Sequence, residues 1–197
     1  MKRTISTAIL LCTILLVPLA QAAPIQGPNG NFYERVDVTL LWTNARDAAA
    51  LRTFQGQSGF LATILDADTQ AFLFQNLRVG APADCWFGGT DEAVEGEWRW
   101  LTGELFWLGD ENGSVQNSLY ENWNSGEPND GAGGGTEEGV EMRSDGTWND
   151  LFNTSTNGCY FVEYLGVVRA VPIAPAAMIL TVLLLGALGI RRLAKHA

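Results

Sequence analysis

The chain has 197 residues, room for one ordinary domain with appendages, and its 47% apolar and 17% charged residues make a globular balance, neither disordered nor collagen-like. Its 22 acids all lie between Glu34 and Glu163. Five of its 12 bases (Lys2, Arg3, Arg191, Arg192, Lys195) sit at the ends, so the span between them sets seven Arg against 22 acids, a net charge of −15. So acidic a body argues against nucleic acid as a partner, and the position of the single histidine, His196, excludes a Ser-His-Asp triad, a His-ligated zinc or a His-held haem from it.

Lys2-Arg3, the apolar run Ala8–Leu19 and Ala20-Gln21-Ala22 form the n-region, h-region and A-x-A site of a secretory signal peptide over residues 1–22. An uncleaved anchor is the alternative, disfavoured by Pro18. Cleavage removes Cys12 and leaves Cys85 and Cys159, an even pair that favours one disulfide in an oxidising compartment.

The body, residues 31–166, is long enough for one hydrophobic core. Val36, Val38, Leu40 and Trp42 alternate as in a half-buried strand. Thr43-Asn44 then cap a first helix over Ala45–Phe54, which Gly59 and Phe60-Leu61 end. Asp66 or Asp68 caps a second helix, Thr69–Leu77, with Leu73 and Leu77 on one face. Trp86-Phe87-Gly88-Gly89 and Trp98-Arg99-Trp100 read as short strands around a polar turn. Residues 103–146 show little periodicity and read as a long functional loop, kept from disorder by Phe106, Trp107, Tyr120 and Trp123. Tyr160–Tyr164 closes the domain as a strand. The order is that of an α+β fold.

Two clusters bracket the Gly-rich stretch of the loop: Glu127-Pro128-Asn129-Asp130 and Trp148-Asn149-Asp150, with Glu137-Glu138 and Glu141 between them. Calcium takes six to eight oxygen ligands of mixed carboxylate and carbonyl type. Glu127, Asn129, Glu137, Asn149 and Asp150 supply five side-chain oxygens, and a backbone carbonyl adds a sixth. Coordination positions left open suit a vicinal diol of a neutral sugar, because each hydroxyl can give a lone pair to the metal and a proton to a carboxylate while accepting from an amide. A cis Glu127–Pro128 bond would turn both neighbouring carbonyl groups toward one ion. Asp110 to Glu121 has the twelve-residue span of an EF-hand loop, but its glycine is two positions early and no helices flank it.

Beyond the body, residues 173–190 run 18 residues without a charge, near the lower limit for a membrane span. The basic tail of residues 191–197 follows, which by the positive-inside rule lies in the cytoplasm and leaves the domain outside.

The order Trp86-Phe87-Gly88-Gly89, Trp98-Arg99-Trp100-Leu101-Thr102-Gly103, Trp123-Asn124-Ser125-Gly126-Glu127-Pro128-Asn129, Glu137-Glu138-Gly139-Val140, Trp148-Asn149-Asp150, Tyr160-Phe161-Val162-Glu163 resembles the C-type lectin domain over Phe32–Tyr164. The resemblance implies two helices flanking small antiparallel sheets, a long calcium-binding loop, and calcium-dependent carbohydrate binding. It implies Ca2+ and sugar at Glu127, Asn129, Glu137, Asn149 and Asp150, the set the chemistry selects. Each Asn is expected to give its amide oxygen to the ion and its amide nitrogen to a sugar hydroxyl. The Glu-Pro-Asn form implies a mannose, fucose or N-acetylglucosamine type of specificity. The family's usual cysteines fall at Gly139, Asn153 and Val162, so a substitute disulfide between Cys85 and Cys159 is expected. The long Glu127-to-Glu137 loop leaves Glu137 and Glu138 as alternative ligands, Asp130 and Glu138 are candidates for a second calcium, and residues 104–121 look like an insertion. Trp86, Trp98, Trp100 and Trp148 are expected in the core, with Trp107 the one aromatic placed to meet a sugar. Val171-Pro172-Ile173-Ala174-Pro175, in a linker over 167–172 running into the span, resembles the PEP-CTERM and VPLPA-like sorting tails of bacterial exported proteins, without the Pro-Glu-Pro core. It implies an exported or cell-surface protein, anchored in the membrane by its C-terminal helix unless a sorting enzyme cuts it.

Two other functions fit less well. A calcium-stabilised protein-binding or matrix-structural module without sugar binding would keep the same fold. An enzyme using paired carboxylates as acid and base is disfavoured, because nothing in the sequence suggests a raised carboxyl pKa and the ion needs those carboxylates.

Overall fold

The computed structural model describes residues 22–131, 136–152 and 154–166. The expected signal peptide up to residue 21, the linker with its sorting motif, the membrane span of 173–190 and the basic tail of 191–197 lie outside the described residues. Among the described residues no helix is long and apolar enough to cross a membrane.

Strands β1 (Ile25–Gln26) and β2 (Phe32–Val36) pair as a hairpin, and β3 (Leu40–Leu41) runs directly into α1 (Trp42–Ala50). The alternation from Val36 to Trp42 therefore does not make one strand. Val36 is buried, Val38 is exposed, and Trp42 opens the helix with its indole N–H donating to the Phe87 carbonyl at 2.9 Å. Helix α1 starts three residues earlier than expected. Its N-cap is Leu41, which has no side-chain cap bond, so Thr43 and Asn44 lie within its first turn. It stops at Ala50 because β4 (Thr53–Phe54) and β5 (Gln57–Ser58) form a tight hairpin. Gln55 and Gly56 both have positive φ there, 50° and 82°, as a two-residue type I′ turn requires. After β6 (Phe60–Leu61) comes α2 (Ala67–Leu73), capped by Asp66, whose carboxylate accepts from the Thr69 amide at 2.7 Å. One π-helical turn, Phe74–Arg78, continues it and keeps Leu73 and Leu77 both buried.

The remaining strands are β7 (Cys85–Thr90), β8 (Glu97–Trp100), β9 (Leu105–Leu108), β10 (Ser114–Val115), β11 (Gly139–Met142), β12 (Trp148–Leu151), β13 (Thr156–Asn157) and β14 (Cys159–Tyr164). The main sheet runs β1-β2-β14-β7-β8-β9-β10. Strand β11 pairs with β7 and β12, and β6 pairs with β14. Only the β14–β7 contact in it is parallel, and there Cys159 faces Cys85 across a disulfide with Cα atoms 4.5 Å apart. The fold is α+β, with two helices and small antiparallel sheets. The stretch 103–146, read from the sequence as one loop, contains three of these strands. Residues 104–121 form the β9–β10 hairpin, whose apolar residues Leu105–Leu108 are consecutive and so give no period-two signal.

Rings fill the core. Trp86, Trp98, Trp100 and Trp148 are all buried. Trp100 stacks on Phe106 at 4.3 Å between centroids, and Phe87 meets Trp148 edge-on at 5.2 Å. The missing family cysteine at Gly139 has a local explanation: a Cβ there would stand 2.7 Å from the Trp42 ring, so the α1 indole occupies that space.

Candidate functional site

The site is hung from Trp148. Its ring is fully buried and its indole N–H donates to Gln70 Oε1 at 3.0 Å. Its backbone holds the preceding loop on both sides: Trp148 N donates to the Asn122 carbonyl at 2.8 Å, and Asn124 N donates to the Trp148 carbonyl at 2.9 Å. The next two residues of β12 are Asn149 and Asp150, so core packing fixes where both stand. Trp123, half-buried, packs edge-on against Trp148 at 5.9 Å and carries the chain into Glu127-Pro128-Asn129. The Glu127–Pro128 bond is cis.

Asp150 organises the loop. It is fully buried, and its Oδ2 accepts from the amides of Asn129 (2.9 Å) and Asp130 (2.8 Å). Its Oδ1 meets no N–H donor, and its side chain lies within hydrogen-bond reach of the Glu127 carboxyl. Glu127 accepts from the Asn129 side-chain amide, and Asn129 Oδ1 in turn accepts from Gly131 N at 2.8 Å. Gly131 is needed there. Its φ is +62°, and a Cβ would stand 2.5 Å from Phe152. Glu137 is buried, and its amide donates to Asp130 Oδ1 at 3.1 Å, which closes the loop. Asn149 turns its amide nitrogen to Glu141 Oε1 (3.0 Å) and to the Asp150 carbonyl (2.6 Å).

The electrostatics are one-sided. Burial and the Asp150 charge push Glu127 up to about 7, and the same two causes push Glu137 up to about 7. Burial raises Asp150 as well. The one cation near Glu127 named by its shift, Arg143, stands 4.0 Å away. Nothing in the sequence suggests these raised carboxyl pKa values; in the fold three acids crowd one small volume with too little positive charge. The structure brings Glu127, Asn129, Glu137 and Asp150 into one linked loop, with Asn149 beside Asp150. Glu137 is felt by Asp150, whereas Glu138 is raised by burial and then by Glu92 and Glu95. Among the described residues no group of three or more His, Cys, Asp or Glu side chains is gathered to hold a metal ion by itself. The oxygen donors of the loop include two asparagines.

A second acidic group escaped the sequence reading. Asp91, just after β7, is buried, and its Oδ2 accepts from Gly96 N at 2.9 Å. Its Oδ1 meets no N–H donor, and burial, with the charge and a side-chain hydrogen bond of Glu95 adding to it, pushes its carboxyl up to about 7. In the sequence Asp91 is one acid among many around a turn, and its burial depends on the neighbouring hairpin. A groove of about 340 Å³ lined by Glu95, Asp110, Pro128, Asn129, Asp130 and Asp150 joins this group to the loop. Trp107 lies against Trp123, 6.5 Å between centroids, and its indole N–H donates to the Asp110 carbonyl, so it braces the β9–β10 turn.

The family model described as Lectin C-type domain matches residues 43–162, and the chain belongs to that family. Over 97 residues it is 39% identical to halomucin of Haloquadratum walsbyi (strain DSM 16790 / HBSQ001), a match covering 45% of this chain and 1% of that protein. Over 78 residues it is 40% identical to C-type lectin domain family 4 member F of Mus musculus, covering 40% of this chain and 13% of that protein. The chain thus spans a small part of the length of these curated relatives. Among solved structures it is similar to the cow C-type carbohydrate-recognition domain of CD23, solved in the presence of a GlcNAc2Man3 oligosaccharide. That match has 30% identity and a TM-score of 0.55, over 70% of this chain and 90% of that one. CEL-I from Cucumaria echinata shares the fold at 20% identity and TM-score 0.56, over 70% and 92%. Domains of this family are generally non-enzymatic, generally bind Ca2+ and are typically extracellular or surface-exposed.

Proposed function

We propose that this protein binds neutral carbohydrate through a calcium ion held by Glu127, Asn129, Glu137, Asn149 and Asp150. The observation that carries this reading is Asp150. A fully buried carboxylate oxygen that meets no N–H donor, on a side chain facing the Glu127 carboxyl, with Glu127 and Glu137 pushed up to about 7 by burial and Asp150, makes an acceptor set without a matching cation. Leaving a charged acceptor buried and unpaired is costly, and a hard cation removes the cost. The donor set fits calcium: carboxylates and amide oxygens, with no sulfur or imidazole. When bound, the ion supplies Lewis-acid positions for a pair of sugar hydroxyls. The chain's residues hold the ion and accept or donate the hydroxyl protons. The Glu127-Pro128-Asn129 order favours sugars of mannose, fucose or N-acetylglucosamine type. The group of Asp91, Glu95, Asp130 and Glu138 is a second cation position under the same reading. Residues 1–22 export the protein, and residues 173–190 anchor it outside the membrane unless the sorting motif is cut.

A glycan array read with the purified protein in calcium and in chelator tests this. Binding of mannose-type glycans that disappears in chelator is expected. Binding to a protein partner that ignores both chelator and sugar competition would replace the sugar reading with that of an adhesive matrix module.

A further inference from the structure

Asn149 is built differently from Asn129. It lies on β12 directly opposite Glu141 of β11, and opposite residues of an antiparallel pair place their side chains on the same face. Its amide nitrogen has two hydrogens, and both are engaged: one by Glu141 Oε1 at 3.0 Å, the other by the Asp150 carbonyl at 2.6 Å. Both partners are acceptors. Turning the amide over would set its oxygen against a carboxylate oxygen and a carbonyl oxygen at once, so the neighbours dictate the orientation. Glu141 is itself buried, and its other oxygen accepts from the side-chain amide of Asn157, also buried, at 2.7 Å. Asn157 belongs to β13, which pairs with β3 in a separate two-stranded sheet. The chain Asn157–Glu141–Asn149 thus runs from a fixed sheet edge to the rim of the loop. Asn129 has no such support. One amide hydrogen goes to Glu127 in the same loop, the other is left over, and the residue is exposed.

We infer that Glu141 is a positioning residue that commits Asn149 to the ion through its oxygen alone, so that the two asparagines divide the work. Asn149 serves calcium and does not donate to sugar, while Asn129 supplies the amide donor to the sugar hydroxyl. This rests on the calcium-and-sugar reading above and corrects its symmetric use of the two amides. It makes recognition one-sided: the hydroxyl next to Asn129 meets a donor, and the hydroxyl next to Asn149 meets acceptors only.

The test uses Glu141→Gln, which keeps shape but offers a donor where Asn149 needs an acceptor. Its one carbonyl oxygen satisfies Asn157, and its amide nitrogen faces the Asn149 nitrogen. Asn149 must then turn or withdraw. Calcium affinity, by titration calorimetry, is expected to fall about tenfold or more, while sugar affinity at saturating calcium stays within about twofold of wild type. The melting temperature in chelator reports whether the fold survives. A second readout needs no variant. In wild type, the side-chain amide signals of Asn149 in a nitrogen–proton spectrum should be shifted and protected in chelator already, and should stay put on adding methyl mannoside in calcium, while those of Asn129 move. An Asn149 amide that responds to sugar as Asn129 does overturns the division of roles. Unchanged calcium affinity in a folded Glu141→Gln protein overturns the positioning role. A wild type that binds no calcium at all overturns the parent reading and this one with it.

Discussion

On one side of Trp148 the interior is made of rings. Trp100, Phe106, Phe87 and Trp123 surround it at centroid distances between 5.2 and 6.0 Å, and Gln70 satisfies its indole N–H. On the other side, one residue along the same strand, stand Asn149 and then Asp150, a buried carboxylate with one oxygen that meets no N–H donor. The first region gains free energy by removing apolar surface from water, and its unpaired groups are neutral, the buried indole N–H groups of Trp100 and Trp123. The second places like charges together in a desolvated pocket, which the proposed cation would neutralise. The difference teaches that fold and site are separable here. The aromatic interior and the disulfide build a platform, and the platform holds in place a loop that its own contacts do not neutralise. Changes on the two sides should accordingly differ in whether calcium alters their effect.

The largest effect belongs to the platform. The Cys85–Cys159 disulfide closes a loop of 74 residues in sequence, and cross-linking a loop of that length stabilises by about 4 kcal/mol through the unfolded chain. The double substitution Cys85→Ala and Cys159→Ala should cost about that much in denaturant titrations. The loss should be equal in calcium and in chelator. A loss that calcium largely restores would mean that the disulfide acts on the loop, and the separation would fail.

Next comes the loop itself. Calcium at a hundredfold over its dissociation constant should stabilise the wild type by about 2.7 kcal/mol. Glu127→Ala removes a carboxylate from the ion, so its melting temperature should ignore calcium and its sugar binding should vanish. In chelator, however, the variant should melt no lower than wild type, because a crowded like charge has been removed. Scanning calorimetry with and without calcium checks both halves. A variant destabilised equally in both conditions would place Glu127 among the platform residues.

Legibility in the sequence follows the same boundary. The strands with tryptophan and the paired Cys85 and Cys159 were readable, because large apolar residues and an even cysteine count have few other uses. The α+β class and a cap for the second helix at Asp66 or Asp68 followed from local chemistry, and the fold uses Asp66. Short strands were not readable. Val38 shares the alternation of Val36 but lies beyond the end of β2, and β9 is four apolar residues in a row whose partner, β8, only the folded sheet supplies. In the loop, the oxygen-bearing residues were legible as a set. Their pKa values were not, since burial of Glu137 depends on Gly131 approaching Phe152 and on Asp150 beneath. Asp91 does not stand out in the sequence and Glu141 is only one acid of the loop cluster, because their roles come from burial and from the strand pairing that sets Glu141 opposite Asn149.

Acidity sharpens the comparison further. Glu127 and Glu137 lie at about 7 in the ion-free fold, above the ordinary glutamate value of about 4.3 that an unfolded chain shows. Their folded forms hold protons more tightly than the unfolded ones. They therefore stabilise the ion-free domain at pH below about 4.3, and that contribution is lost as pH rises through 7. In chelator the melting temperature should fall between pH 5 and pH 8. In calcium the order should reverse, because the ion competes with those protons, and calcium affinity should drop by about tenfold per pH unit below 7 for each of the two carboxyls it deprotonates. Melting curves at four pH values, with and without calcium, would show the two trends crossing. Parallel trends would mean that these two carboxyls do not meet the ion.

The smallest change is a single amide nitrogen. Asn129→Asp keeps an oxygen for calcium and removes a hydrogen-bond donor from the sugar side, adding a negative charge where a hydroxyl oxygen would have to sit. It also loses the bond to Glu127 and sets two carboxylates side by side. Calcium offsets that repulsion, so ion affinity should largely survive while binding of methyl mannoside weakens roughly tenfold, the worth of one charge-assisted hydrogen bond at the low end of its range. Asn149→Asp is the control that gives this its meaning. There the new carboxylate faces Glu141 and the Asp150 carbonyl, so calcium affinity should suffer before sugar affinity does. Pairing Asn129→Asp with Glu127→Gln should move preference toward galactose, because the donor and the acceptor then exchange places around the ion. Equal behaviour of the two Asn→Asp variants, in both titrations, would mean that the amides are used symmetrically and that the Glu141 contact has no bearing on recognition.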